Sequence, residues 1–123
     1  MAAILVIDDD EIIQNVLNKM LTKEGYQVAL AGNGKEGLAL LDKMPFDLVI
    51  TDLMMPYANG FEIISKLKQH PNTAKAPVIV ISSINNEDSI MDGFKLGIDE
   101  YIRKPIIMGE LIMRIKKLLS HSA

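Results

Sequence analysis

The chain has 123 residues, 49% of them hydrophobic, no cysteine and a formal net charge of -3. That length suits one domain with a packed core, and the missing cysteines exclude disulfides, thiolate metal sites and a cysteine nucleophile. The mild negative charge gives no basis for direct nucleic-acid binding. No apolar run approaches the ~18 residues of a membrane span or has the layout of a signal peptide, so a cytoplasmic protein is expected.

Apolar runs alternate with amphipathic segments five times. Ile4 to Ile7 reads as a strand that runs into Asp8, Asp9 and Asp10. Ile12, Ile13, Val16, Leu17, Met20 and Leu21 then recur at helical spacing, with Gly25 as the stop. Gln27 to Ala31 is a second strand. Asn33 is placed to cap a helix carrying Leu38, Leu41 and Met44, closed by Pro45. Leu48 to Thr51 is a third strand ending at Asp52. Asn59 is placed to cap a third helix with Phe61, Ile64 and Leu67, ending near Pro71. Val78 to Ile81 is a fourth strand running into Ser82 and Ser83. Asn86 is placed to cap a fourth helix with a stripe of Ile90, Met91 and Phe94, and Gly97 lies past its end. Tyr101 to Arg103 is a fifth strand, followed by Lys104 and Pro105. The last helix carries Met108, Leu111, Ile112, Ile115 and Leu118.

Strands one, three and four are almost wholly apolar, as in a parallel sheet covered on both faces. The alternation predicts right-handed crossovers and a doubly wound α/β fold. With nothing but Ser120 to Ala123 after the last helix, residues 1–123 are expected to form a single domain. The eight methionines are expected to be mostly core filler. His70, His121 and the basic side of the last helix read as bystanders.

Parallel neighbouring strands bring their C-terminal ends to one edge, where ligands of open α/β sheets bind. That edge would hold Asp8, Asp9, Asp52, Ser82 and Lys104. Clustered carboxylates repel and raise one another's pKa. A hard divalent cation such as Mg²⁺ removes the conflict, taking carboxylates, waters and phosphate oxygens as ligands. Asp8, Asp9 and Asp52 sum to -3, and Mg²⁺ with Lys104 adds +3, so a phosphoryl group would approach a neutral site. The simpler reading is that Asp8 to Asp10 only cap the first helix and favour its dipole.

Five segments, in order, carry a resemblance: Val6-Ile7-Asp8-Asp9, then Ile50-Thr51-Asp52-Leu53-Met54-Met55-Pro56, then Gly60, then Ile81-Ser82, then Tyr101-Ile102-Arg103-Lys104-Pro105. Together they resemble the receiver domain of two-component response regulators, over essentially the whole chain. The resemblance implies a flavodoxin-like sheet of five parallel strands in the order 2-1-3-4-5 with five flanking helices. It implies that Asp52 accepts a phosphoryl group from the phosphohistidine of a sensor histidine kinase or phosphotransfer protein. Mg²⁺ would be held by Asp8, Asp9, Asp52 and the backbone carbonyl of Met54. Lys104 would pair with a phosphoryl oxygen, Ser82 would hydrogen-bond the phosphoryl group after transfer, and the bond between Lys104 and Pro105 would be cis. Tyr101 matches the family's switch aromatic, filling the space that Ser82 vacates, and the fourth helix, fifth strand and fifth helix would form the output face.

On this reading the chain catalyses only its own phosphorylation and dephosphorylation and is otherwise not an enzyme. Its downstream partner is an effector protein or an output domain outside this chain. Oligomeric state is expected to be monomer or a weak phosphorylation-dependent homodimer, with Asp99 and Arg114 resembling a cross-dimer charge pair. Met54 and Ile84 resemble positions flanking the path of an attacking water, and their bulk suggests a long phosphoryl lifetime. The chain departs from the commonest pattern at Asp10, Glu11, Asn59, Ser82 (more often threonine) and Ile106 (more often phenylalanine). Three other readings compete. A haloacid dehalogenase-type phosphatase needs a second acid where Met54 stands. A flavodoxin-like binding module needs hydroxyls where the three aspartates stand. A degenerate receiver used only for interaction needs a missing key residue, and none is missing.

Overall fold

The computed structural model describes residues 2–55, 58–83 and 87–121, with the side chains of residues 54, 55, 58, 59 and 121 outside that description. Among these residues, strands and helices alternate: β1 (Ala3–Ile7), α1 (Glu11–Lys23), β2 (Gln27–Ala31), α2 (Gly34–Leu41), β3 (Leu48–Thr51), α3 (Gly60–Gln69), β4 (Val78–Ser82), α4 (Glu87–Lys95), β5 (Glu100–Arg103) and α5 (Met108–His121). The five strands form one parallel sheet in the order β2-β1-β3-β4-β5. The strand order reverses at β1, so a crevice opens between the C-terminal ends of β1 and β3. A two-residue antiparallel ladder, Met54–Met55 with Ala58–Asn59, sits between β3 and α3. Nothing in the sequence pattern announced it.

Every residue of β1, β3 and β4 is buried, which is why these strands read as unbroken apolar runs rather than as alternation. Their side chains still alternate between two layers. Leu5, Ile7, Val49, Val78 and Val80 pack with Leu41, Ile63, Ile64 and Leu67 from α2 and α3. Ile4, Val6, Leu48, Ile50, Ile79 and Ile81 pack with Leu17, Leu21, Leu111 and Ile115 from α1 and α5.

The caps explain where the helices begin. The Asp10 carboxylate accepts the N–H of Ile12 at 2.9 Å and of Ile13 at 3.4 Å, opening α1. Asn33 Oδ1 accepts the Glu36 N–H at 2.9 Å, and the Glu36 carboxylate accepts the Gly32 N–H at 2.7 Å, opening α2. Gly25 and Gly97 follow α1 and α4 with φ of +91° and +102°, a backbone that favours glycine. Asn86 and the side chain of Asn59 lie outside the described residues.

Several expectations from the sequence need correction. Helix α2 stops at Leu41 rather than running to Met44. Its end tightens through bonds from the N–H groups of Asp42 and Lys43 to the carbonyls of Ala39 and Leu40, and Pro45 disfavours a helical residue before it. Met44 packs on the core from the loop instead. Strand β4 extends to Ser82, paired with Arg103. In α1, Ile12 and Val16 are exposed. In α4, Met91 and Phe94 are 49% and 47% exposed, and Gly93 faces inward. A Cβ at Gly93 would lie 2.9 Å from Ile98 Cδ1, so the helix seats its glycine and turns the two large side chains outward. Met113 on α5 is exposed as well. His70 is no bystander: its Nε2 meets Asp42 at 3.1 Å and its Nδ1 accepts the Asn72 N–H at 3.1 Å, tying the ends of α2 and α3.

Gly60 offers a direct test of this packing. A Cβ there would meet Leu53 Cα at 2.5 Å and its carbonyl oxygen at 2.7 Å, whereas a Cβ at Gly109 meets nothing within 4 Å. Gly60→Ala is expected to cost about 1–3 kcal/mol in urea unfolding. Gly109→Ala, in the first turn of α5, is expected to be neutral or stabilising by up to ~1 kcal/mol.

Candidate functional site

Each strand end extends its ladder by one bond, and this sets the site residues side by side. The Asp8 N–H donates to the Ala31 carbonyl at 3.0 Å, the Asp52 N–H to the Ile7 carbonyl at 3.0 Å, and the Lys104 N–H to the Ser82 carbonyl at 3.0 Å. Asp8 then turns out of the strand, where its Oδ1 accepts the Asp10 N–H at 2.9 Å. Thr51 is buried beneath the site, its hydroxyl donating to the Asp52 carbonyl at 3.1 Å.

The ammonium of Lys104 reaches back across the crevice. It donates to Asp52 Oδ2 at 2.8 Å and Asp8 Oδ2 at 3.3 Å. Asp8 and Asp52 are only 3% and 4% exposed; Asp9 is exposed beside them. Carboxylate oxygens of all three aspartates lie within 4.8 Å of one another. Burial pushes the Asp8 carboxyl above its usual pKa, and the Asp52 charge adds to this, against the pull of the Asp10 amide and Lys104. Burial alone would lower Lys104, but its hydrogen bond to Asp52 and the charges of Asp52 and Asp8 outweigh that and raise it. Lys104 is therefore firmly cationic at neutral pH. One ammonium faces three carboxylates, so the crevice is an anionic pocket of hard oxygen donors, the donor set a divalent cation such as Mg²⁺ takes.

Ser82 is fully buried at the end of β4. On β5 the Tyr101 hydroxyl hydrogen-bonds the Ser82 side chain, and burial raises the tyrosine's pKa while that bond lowers it. The Tyr101 ring packs against the layer under α2 and α3. Ser83, the competing hydroxyl, is exposed.

The structure thus gathers Asp8, Asp9, Asp52 and Lys104, and joins Ser82 to Tyr101 on the neighbouring strands. Asp10 is spoken for as the cap of α1, so the simpler capping reading holds for Asp10 and not for Asp8. The bond between Lys104 and Pro105 is cis. Met54 follows in the short ladder, its side chain outside the described residues, as are Pro56 and Ile84. Sequence reasoning missed Gln14, whose side-chain amide donates to the Asp8 carbonyl. The available signal was a polar residue set among Ile13 and Leu17 on the inward stripe of α1.

A family model for the response regulator receiver domain matches residues 4–116. The chain belongs to the response regulator receiver domain family. The transcriptional regulatory protein CpxR of Klebsiella pneumoniae is 38% identical over 122 residues, covering 99% of this chain and 51% of that protein. The receiver domain spans about half the length of the curated relatives it matches. Among solved structures, a CheY-like receiver domain protein from Methanospirillum hungatei superposes with a TM-score of 0.94 at 28% identity, covering 99% of this chain and 96% of that one. The receiver domain of Francisella response regulator 1452 superposes with a TM-score of 0.89 at 33% identity, covering 100% of both chains. The strand order and helices seen here are those of this family, and the chain is a phosphorylation-dependent signalling switch of the two-component type. No helix among the described residues is long and apolar enough to cross a membrane.

Burial of the Asp8 carboxyl is expected to cost this receiver domain stability at neutral pH. A carboxyl whose pKa is raised by folding contributes stability below its usual value of 3.8, and that contribution is lost as the pH climbs through the folded value. Asp8→Asn keeps an acceptor for the Asp10 N–H and removes the charge. It is expected to raise the metal-free melting temperature by a few degrees at pH 7, with the gain shrinking as the pH falls toward 3.8. A lower melting temperature at pH 7 would show that the ion pair with Lys104 outweighs burial.

Proposed function

We propose that Asp52 is the phosphoacceptor, and the contact that carries this reading is the 2.8 Å bond from Lys104 to Asp52 beside Asp8. The phosphodonor is the phosphohistidine of a sensor histidine kinase or phosphotransfer protein. A carboxylate oxygen of Asp52 attacks phosphorus, the P–N bond breaks, and the departing imidazole nitrogen keeps the electron pair and takes up a proton. The product is an acyl phosphate on Asp52. Lys104 follows the transferred charge, leaving the carboxylate for a phosphoryl oxygen as a compact point charge.

Asp8, Asp9, Asp52 and the Met54 carbonyl would hold Mg²⁺, which when bound supplies neutralisation of the carboxylate and phosphoryl charges. The chain's own share is positioning and preorganised charge, the main demands of phosphoryl transfer. It acts on no substrate but itself. Met54 stands where a haloacid dehalogenase-type enzyme needs a second acid, which speaks against turnover of a separate phosphate ester.

Incubation with Mg²⁺ and acetyl phosphate is expected to add one base-labile phosphoryl group to the wild type and none to Asp52→Asn. Equal labelling of the variant would remove Asp52 from the role.

The output would pass through Ser82 and Tyr101 to the face made by α4, β5 and α5. Ser82 drawn toward the phosphoryl group breaks its bond to the Tyr101 hydroxyl, coupling the site to that face. The cross-dimer charge pair of Asp99 and Arg114 is poorly prepared. Arg114 is held within the chain by Glu100 at 2.6 Å and Glu110 at 2.9 Å, and the Asp99 carboxylate accepts the Val78 N–H at 2.8 Å. Met91 and Phe94 on α4 and Met113 on α5 are exposed instead. A phosphorylation-dependent dimer, or an output partner, would draw on these exposed apolar side chains. The wild type is expected to sediment as a monomer and to dimerise with beryllofluoride, and Phe94→Ser to stay monomeric. A dimer that survives Phe94→Ser and is lost in Asp99→Asn would return the role to the charges.

A further inference from the structure

Gln14 is a half-buried polar side chain on α1, one turn beyond the capping Asp10, and the chemistry above makes no use of it. Its Nε2 donates to the Asp8 carbonyl and lies 3.5 Å from the Ala31 carbonyl. The Asp8 N–H donates to the same Ala31 carbonyl at 3.0 Å. The main chain of Asp8 is therefore held at its amide by β2 and at its carbonyl by α1. That carbonyl belongs to the peptide that joins Asp8 to Asp9, the two adjacent carboxylates of the site.

Adjacent residues in a regular strand point to opposite faces. Asp8 and Asp9 reach one cluster because this peptide leaves the strand orientation, and Gln14 binds that peptide directly. The amide lies beside Gly32 at ordinary contact distance. A Cβ at Gly32 would lie 3.6 Å from Gln14 Nε2 and 3.3 Å from Glu36 Oε2, and Glu36 already accepts the Gly32 N–H. A neutral amide also adds no charge to the anionic crevice.

We infer that Gln14 is a positioning residue of the phosphoacceptor site: by donating to the Asp8 and Ala31 carbonyls it fixes the peptide between Asp8 and Asp9, and with it the spacing of their carboxylates. This inference rests on the assignment of Asp8, Asp9 and Asp52 as the cation and acceptor site. Partners that orient metal-binding groups are themselves worth ~10–100-fold in affinity, so the effect belongs on Mg²⁺ binding more than on folding.

The test uses Gln14→Met, which keeps side-chain length and removes the donor, and Gln14→Arg, which restores an N–H donor. Hydrogen exchange of the Asp10 amide is followed by NMR in metal-free protein, since that amide bonds Asp8 Oδ1. Mg²⁺ is then titrated by NMR, and melting temperature is recorded alongside. Gln14→Met is expected to melt near the wild type, to exchange the Asp10 amide faster and to bind Mg²⁺ about tenfold more weakly. Gln14→Arg is expected to recover slow Asp10 exchange. Wild-type Asp10 exchange and Mg²⁺ affinity in Gln14→Met, whatever its melting temperature, would overturn the role, as would a failure of Gln14→Arg to restore the exchange. A wild type that binds no Mg²⁺ would instead count against the site assignment, while Asp10 exchange would still decide the part played by Gln14.

Discussion

Two buried carboxylates share one ammonium at the carboxyl edge of the sheet, and the rest of the site follows from that imbalance. Asp8 and Asp52 are nearly sealed from water, and Lys104 is the cation that bonds to both. Burying charge without full compensation is costly. The raised pKa of Asp8 is the local sign of that cost. Such a cluster of hard oxygens is the donor set that a divalent cation takes, and on the proposed function that cation offsets the repulsion between Asp8 and Asp52.

The fold supplies the arrangement through topology. Parallel strands cannot be joined by tight turns, so every crossover returns a strand end to the same edge. The order β2-β1-β3-β4-β5 sets the ends of β1 and β3 side by side, bringing Asp8 against Asp52 from 44 residues apart. Strand β5 delivers Lys104 from further along that edge, and the bond between its N–H and the Ser82 carbonyl locks the end of β5 to β4. The same pair of strands carries Ser82 and Tyr101, whose side chains are hydrogen-bonded, and the proposed output route runs through that pair. Helix α4 buries little beyond Gly93, and an element held by so few apolar contacts is suited to change.

Much of this was legible in the sequence. The unbroken apolar runs of β1, β3 and β4 marked doubly covered strands, and the residues ending them marked the site. Asn33 announced α2, Gly25 and Gly97 announced two helix ends, and the expected edge does bring Asp52, Lys104 and the acidic pair together. What was not legible depends on tertiary detail. Helical periodicity shows that α4 has an apolar stripe but not which way it turns, and Gly93 against Ile98 decided that outcome. The i,i+4 pair of Glu110 and Arg114 was legible in the spacing, but the pairing of Arg114 with Glu100 depends on how α5 lies along β5. Gln14 stood out only as a polar residue on the inward stripe of α1, and its bond to the Asp8 carbonyl depends on how α1 meets the end of β1. The division of labour among Asp8, Asp9 and Asp10 was open in the sequence. The structure gives Asp10 the cap of α1 and sets Asp8 and Asp9 with Asp52.

On the proposed function, Asp52 becomes phosphorylated while Asp8 and Asp9 do not. An acyl phosphate is reduced by borohydride to an alcohol, converting the acceptor aspartate to homoserine. Protein treated with acetyl phosphate and Mg²⁺, reduced and read by peptide mass spectrometry, is predicted to carry homoserine at position 52 alone. Homoserine at position 8 or 9, with residue 52 unmodified, would contradict it.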